Sequence, residues 1–100
     1  MSGWVMSEAG KVNTRTVKFE NELAVLGNDV IAEVSRAEVL FPSIHNMHEG
    51  LAVIWEEFEE FKADVFAFNL RKGRDTRRHA REELIQVAAM CLRTIRDCEL

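Results

Sequence analysis

Four carboxylates fall within five residues of a stretch whose other residues have the spacing of a buried helix. The acids belong to Glu56-Glu57-Phe58-Glu59-Glu60, within the segment 52–68. The apolar residues around them recur at the i, i+3, i+4 and i+7 positions of a core-facing helix: Leu51, Ile54, Trp55, Phe58, Phe61 and Val65. Glu57, Glu60 and Asp64 form a second stripe beside this apolar face. The sequence therefore predicts a helix with acidic side chains at the border of the core.

A second predicted helix has a matching pattern. Its apolar face consists of Leu84, Val87, Ala88, Cys91, Ile95 and Cys98, and its flanking stripe of Glu83, Gln86, Met90, Arg93 and Asp97. Basic residues and Gly73 between the two helices are typical of a helix C-terminus, and Asp75 or Thr76 is the expected N-cap of the second helix. This order predicts an antiparallel helical hairpin.

The two polar stripes should meet across the hairpin. Glu60 lies 10 residues before Leu70 and Gln86 lies 10 residues after Thr76, so the two residues are level on their helices. The pair Glu57 and Glu60 can then face the pair Glu83 and Gln86. Three carboxylates and one amide oxygen would converge beside the core, and such oxygen ligands favour Mg²⁺, with Mn²⁺ as an alternative, over zinc or iron.

The remaining segments complete a single all-α domain over residues 1–100. Residues 1–13 lack periodicity and are predicted to form a weakly ordered arm. Residues 14–41 have one apolar stripe and form either one helix or two that abut at Gly27, where a break is favoured. Asn46 and Glu49 have the spacing of a capping box at the start of the motif helix, 46–70, and the second motif helix spans 76–98.

Composition and charge narrow the class of protein. No run of about 18 apolar residues occurs, and the first 20 residues lack an apolar leader segment, so a cytoplasmic protein without a membrane partner is expected. The formal net charge of −4 argues against nucleic acid as a partner, despite six cations within residues 71–81. Arg81 is a candidate phosphate contact, whereas Arg93 and Asp97 are expected to pair with each other.

The acid pattern resembles that of a known family. Glu56-Glu57-x-x-Glu60, followed after 22 residues by Glu83-x-x-Gln86, is similar to the EExxE…ExxD signature of the MazG-like all-α nucleoside triphosphate pyrophosphohydrolases. The resemblance covers about residues 29–97 and is closest to the short versions common in phage and mobile elements. It implies Mg²⁺ ligands at Glu57, Glu60 and Glu83, and Gln86 stands where the family usually has Asp.

Two functions from different classes follow from this resemblance. The first is a Mg²⁺-dependent hydrolase that cleaves a nucleoside triphosphate to a monophosphate and pyrophosphate, with Glu56 or Glu60 as the catalytic base and Arg81, Arg93 and Trp55 as substrate contacts. The second is a non-catalytic helical protein that binds a nucleotide or another small ligand in a weakened acidic pocket. A plain helical bundle with an acidic face remains as a third interpretation.

The aromatic residues of the motif helix predict an oligomer. Phe66 and Phe68 lie about 160° apart around a helix, so one hairpin cannot cover both rings. Apolar surface left exposed at this scale usually marks an interface. A homodimer or homotetramer is therefore expected, and MazG-like proteins likewise build their sites from packed subunits.

Overall fold

In a computed structural model, the chain is described over residues 14–71 and 74–100, with side chains over 16–67 and 76–100. Three helices and no strand occur in these ranges: α1 Thr14–Leu40, α2 Met47–Arg71 and α3 Arg74–Asp97. The prediction of an all-α fold is confirmed, and the predicted helix ends differ from the observed ones by one or two residues. The predicted arm, 1–13, lies outside the described residues.

Helix α1 runs without interruption through Gly27, so the expected break at this position is wrong. A Cβ added at Gly27 would meet no atom of the described residues within 4 Å, so a side chain has room at this position. The cost of about 1 kcal/mol for one glycine does not interrupt a helix of 27 residues. The N–H of Phe41 still donates to the carbonyl of Ala37 over 2.8 Å, and Pro42 follows directly.

At the start of α2, one of the two hydrogen bonds of the expected capping box is formed. The Oδ1 of Asn46 accepts a hydrogen bond from the N–H of Glu49 over 2.8 Å. The Glu49 carboxylate does not return to Asn46 but accepts from the N–H of His45 over 3.3 Å and contacts His45 Nδ1 at 3.1 Å. Helix α3 begins at Arg74, so Asp75 and Thr76 lie in its first turn and are not the N-cap.

Helix α3 packs against both α1 and α2. The contacts between α3 and α2 run in opposite order along the two helices. Thr94, late in α3, lies beside Gly50, early in α2, whereas Glu83 lies beside Glu57 and Glu60. The two helices are therefore antiparallel. They are in close contact at Gly50, where an added Cβ would lie 2.5 Å from Thr94 Cγ2.

The core is small and consists of side chains from all three helices. Ala37, Ala89 and Met90 are buried, with Val30, Val34, Val53 and Ile54 packed around them. No large side chain among the described residues is fully buried. None of the helices, over the residues described, combines the length and the apolar composition needed to cross a bilayer. Cys91 and Cys98 are free and partly buried.

The buried faces of α2 and α3 overlap the predicted apolar faces only in part. In α3, the buried residues include Glu83, Met90 and Arg93 from the predicted flanking stripe, whereas Leu84 and Ile95 are about half exposed. In α2, the exposed residues include four of the predicted core: Leu51, Trp55, Phe58 and Val65. The two helices meet along the stripe that carries the small Gly50 and the acids, which permits a close approach and turns the larger apolar side chains outward.

Candidate metal centre

Three carboxylates from α2 and α3 converge where the two helices contact each other. Glu57 and Glu60 lie one turn apart on α2, and Glu83 faces them from α3. One oxygen from each of the three lies within 4.8 Å of the other two. The structure thus brings together the three acids that the sequence grouped as metal ligands.

Burial and like charge disfavour the ionised form of these carboxylates when no cation is bound. Glu83 is only 5% exposed, and burial together with the nearby Glu60 and Glu57 raises its pKa to about 7. Burial is also the main cause of the raised pKa of Glu57, followed by the charge of Glu60. Two buried oxygens, Oε2 of Glu57 and Oε2 of Glu83, accept no hydrogen bond from a donor group of the described residues.

Buried carboxylate oxygens without partners fit a cation ligand set, because buried charges in proteins are normally paired or bound to metals. The donors are oxygens, which suit Mg²⁺ and Mn²⁺. Glu57, Glu60 and Glu83 could therefore hold one of these ions, and Glu83 lies on the side of the cluster that is closed to solvent.

A cavity of about 330 Å³ lies next to the carboxylates. Glu56 and Glu57 line it from α2, Gln86 and Arg93 line it from α3, and Pro42 lines it from the segment between α1 and α2. Its volume falls at the lower end of the range of small-molecule sites. Gln86 and Glu56 thus lie beside a cavity that reaches the carboxylate cluster through Glu57.

Helix α1 contributes two charged residues that the sequence reading missed. Glu33 and Arg36 line the cavity and form an ion pair with each other. The charge of Glu33 also contributes to the raised pKa of Glu57. A signal for Glu33 was present, because it lies three residues after Val30 and four before Ala37, on the buried stripe of α1.

The predicted pair of Arg93 with Asp97 is wrong. The Nε of Arg93 donates to Glu38 over 2.8 Å, and its Nη2 donates to the carbonyl of Pro42 over 2.9 Å. Asp97 accepts from the N–H of Ile44 over 2.9 Å and from Arg96. The reason is that α1 and the segment after it pack against α3 and supply hydrogen-bond partners from more than 50 residues away, which helical spacing does not reveal.

The three expected substrate contacts have different surroundings. Arg93 is buried at the cavity wall, with its donors directed at Glu38 and Pro42. Arg81 donates to Asp29 over 2.6 Å and lines a different cavity, together with Asp64. Trp55 is 59% exposed on the outer face of α2 and does not line either of these cavities.

A second group of possible ligands adjoins the first and was also missed. Asp64, His79 and Glu83 each offer one atom within 4.8 Å of the other two, so Glu83 belongs to both groups. The sequence signal for His79 is its position four residues before Glu83, on the same side of α3.

Comparisons with known proteins found no matching family model, no matching curated protein and no matching solved structure. The resemblance of the acid pattern to the MazG-like family therefore remains a hypothesis.

Proposed function

We propose that this chain is a nucleotide pyrophosphohydrolase that depends on Mg²⁺ or Mn²⁺ and cleaves a nucleoside triphosphate to a monophosphate and pyrophosphate. The observation that carries the proposal is the approach of Glu57, Glu60 and Glu83 within 4.8 Å, with two buried oxygens that find no donor within residues 16–67 and 76–100. The adjacent cavity supports a small-molecule substrate. The likeness of the acid spacing to the MazG-like signature supports this reaction class.

The residues have separate roles in this proposal. Glu57, Glu60 and Glu83 hold the cation, and Gln86 adds an amide oxygen from the cavity side. A bound divalent cation neutralises phosphate charge and lowers the pKa of a bound water. Glu56 or Glu60 would accept a proton from the attacking water as general base.

The proposal is tested by removing one charge at a time. Glu60→Gln should lower the release of pyrophosphate from nucleoside triphosphates by at least about 100-fold, as expected for a lost ligand or general base. Glu59→Gln is the matched control, because Glu59 lies next to it on α2, is exposed and has Lys62 as its neighbour at 4.0 Å. The measurement is chromatography of the nucleotide products with Mg²⁺ or Mn²⁺ present. Equal loss in both variants, or no activity in the unmodified chain with any nucleoside triphosphate, would refute the proposal.

Gln86 favours a second candidate, a protein that binds a nucleotide without cleaving it. Gln86 lines the cavity but brings no charge to the ligand set. In the same assay Gln86→Asp should tighten divalent binding and raise the rate of hydrolysis if position 86 is a ligand. Nucleotide binding by the unmodified chain, without hydrolysis by either form, would favour the binding protein.

We also propose that the working form is a homodimer. Trp55 and Phe58 are exposed on one side of α2, and Leu84 and Ile95 are exposed on α3. The radius of gyration is 16.9 Å, compared with about 13 Å for a compact domain of this length. A second copy packed on these apolar faces would supply the core that the single chain lacks.

A further inference from the structure

His79 lies between two carboxylates at the edge of the metal centre. Its Nδ1 is 2.6 Å from Oδ2 of Asp64, and its Nε2 is 3.6 Å from Oε1 of Glu83. The two ring nitrogens therefore face acids from different helices. The imidazole itself is 57% exposed and can be reached from solvent.

Asp64, His79 and Glu83 follow one another in the order carboxylate, imidazole, carboxylate. At metal sites, a histidine ligand often lies in this way between a supporting carboxylate and the ion. Histidines that bind metals usually donate the N–H of one ring nitrogen to a carboxylate, which fixes the tautomer and directs the lone pair of the other nitrogen at the ion. In the tautomer that donates Nδ1–H to Asp64, Nε2 carries the lone pair and is the ligand atom. Nε2 points toward Glu83, whose buried carboxylate supplies the second ligand atom.

We propose that His79 Nε2 and Glu83 Oε1 bind a transition metal ion, with Asp64 as the positioning residue for the imidazole. Glu83 is more than nine-tenths buried, and its other oxygen, Oε2, receives no hydrogen bond from the side chains and backbone that the structure describes. One carboxylate can thus serve the carboxylate cluster and the histidine site together. Imidazole nitrogen distinguishes transition metal ions from Mg²⁺, which prefers oxygen.

The probe is Mn²⁺, because carboxylates and imidazole both accept it, whereas Zn²⁺ could also bind the free thiols of Cys91 and Cys98. His79→Gln should weaken Mn²⁺ binding by at least about 10-fold in calorimetric titration, and should leave Mg²⁺ binding within about twofold. His48→Gln is the control, because His48 is an exposed histidine on α2. Circular dichroism of the variants checks that the fold is retained.

Pulsed electron paramagnetic resonance of bound Mn²⁺ gives an independent signature. A nitrogen coupling should be present in the unmodified chain and in His48→Gln, and absent in His79→Gln. If His79 is only an imidazolium paired with Asp64, Mn²⁺ affinity stays the same and no coupling appears, which would overturn the inference.

The inference relies on the carboxylate centre of the proposed function but not on hydrolysis. A chain that binds Mn²⁺ through His79 and cleaves no nucleotide would refute the proposed function alone. An active hydrolase in which His79→Gln leaves Mn²⁺ affinity and the nitrogen signal unchanged would refute this inference alone.

Discussion

Glu83 is the residue at which burial and charge oppose each other most strongly. Its pKa is about 7 in the folded chain, against an ordinary value of 4.5. Between these two pH values the folded chain holds a proton that the unfolded chain has released. The stability contributed by this proton is complete below about pH 4.5 and is lost as the pH rises through about 7.

We therefore predict that the free energy of unfolding without divalent cation falls as the pH rises through this window. Glu83→Gln should flatten the fall and raise the free energy of unfolding near neutral pH by a few kcal/mol, since each pKa unit corresponds to about 1.4 kcal/mol. The measurement is urea denaturation with a chelator at about pH 5 and about pH 8.

The control for this prediction is Glu82→Gln, because Glu82 is exposed beside Glu83. The raised pKa of His79 adds a decrease in the same direction. Its main cause, the hydrogen bond to Asp64, should persist in both variants, whereas each variant removes the smaller contribution of Glu83 or Glu82. Mg²⁺ requires deprotonated carboxylates, so it should stabilise the unmodified chain more at the higher pH. An unchanged pH profile in Glu83→Gln would contradict the assignment.

Some residue contacts could be predicted from the sequence and others could not. The convergence of Glu57, Glu60 and Glu83 follows from counting residues along two antiparallel helices, because helical rise is regular. The partner of Arg93 is Glu38, 55 residues away. Such a contact depends on how α1 is placed against α3, which local spacing does not determine.

At the scale of the helices, Gly50 leaves room for the side chain of Thr94 where α2 and α3 are in close contact. An added Cβ would lie 2.5 Å from Cγ2 and 2.7 Å from Oγ1 of Thr94. The Thr94 side chain is itself held, because its hydroxyl donates to the carbonyl of Met90 over 2.8 Å. The contact therefore cannot relax without moving a helix or breaking this hydrogen bond.

We predict that Gly50→Ala destabilises the chain by about 1–3 kcal/mol, the usual cost of overpacking. Gly27→Ala is the matched control and should stabilise it by up to about 1 kcal/mol, because Ala is the better helix former and no atom lies within 4 Å. Both are measured by urea denaturation. The double variant Gly50→Ala with Thr94→Ala should recover part of the loss, and a Gly50→Ala variant as stable as the unmodified chain would contradict the close contact.

The sequence predicted the bounds of the helices to within two residues, whereas it predicted only part of the residues that each helix buries. Helix bounds follow from local periodicity, caps and Pro42, all of which are short-range signals. The choice between the apolar stripe and the acidic stripe of α2 depends on what packs against it. In the single chain α3 packs beside Gly50 and Glu57, so Trp55 and Phe58 remain exposed.

At the scale of the whole molecule, this exposed surface predicts self-association. The unmodified chain, 11.5 kDa, should sediment at micromolar concentration with at least twice the monomer mass. Trp55→Glu should shift the equilibrium toward monomer, because it places a charge in the proposed interface. Ala63→Glu adds the same charge to another side of α2 and should leave the mass unchanged. A monomer for the unmodified chain, with and without Mg²⁺ and nucleotide, would rule out the dimer.

The place of α3 against both other helices has a consequence for how the chain folds. Helix α1 is fastened to α3 by pairs more than 50 residues apart, Asp29 with Arg81 and Glu38 with Arg93. Because such distant contacts close the longest loops, α1 should dock last and detach first. Backbone amides of α1 should therefore exchange with solvent deuterium faster than those of α2 and α3. Molecules with α1 detached would still retain Glu57, Glu60 and Glu83 in place, so a divalent cation should slow exchange in α2 and α3 more than in α1.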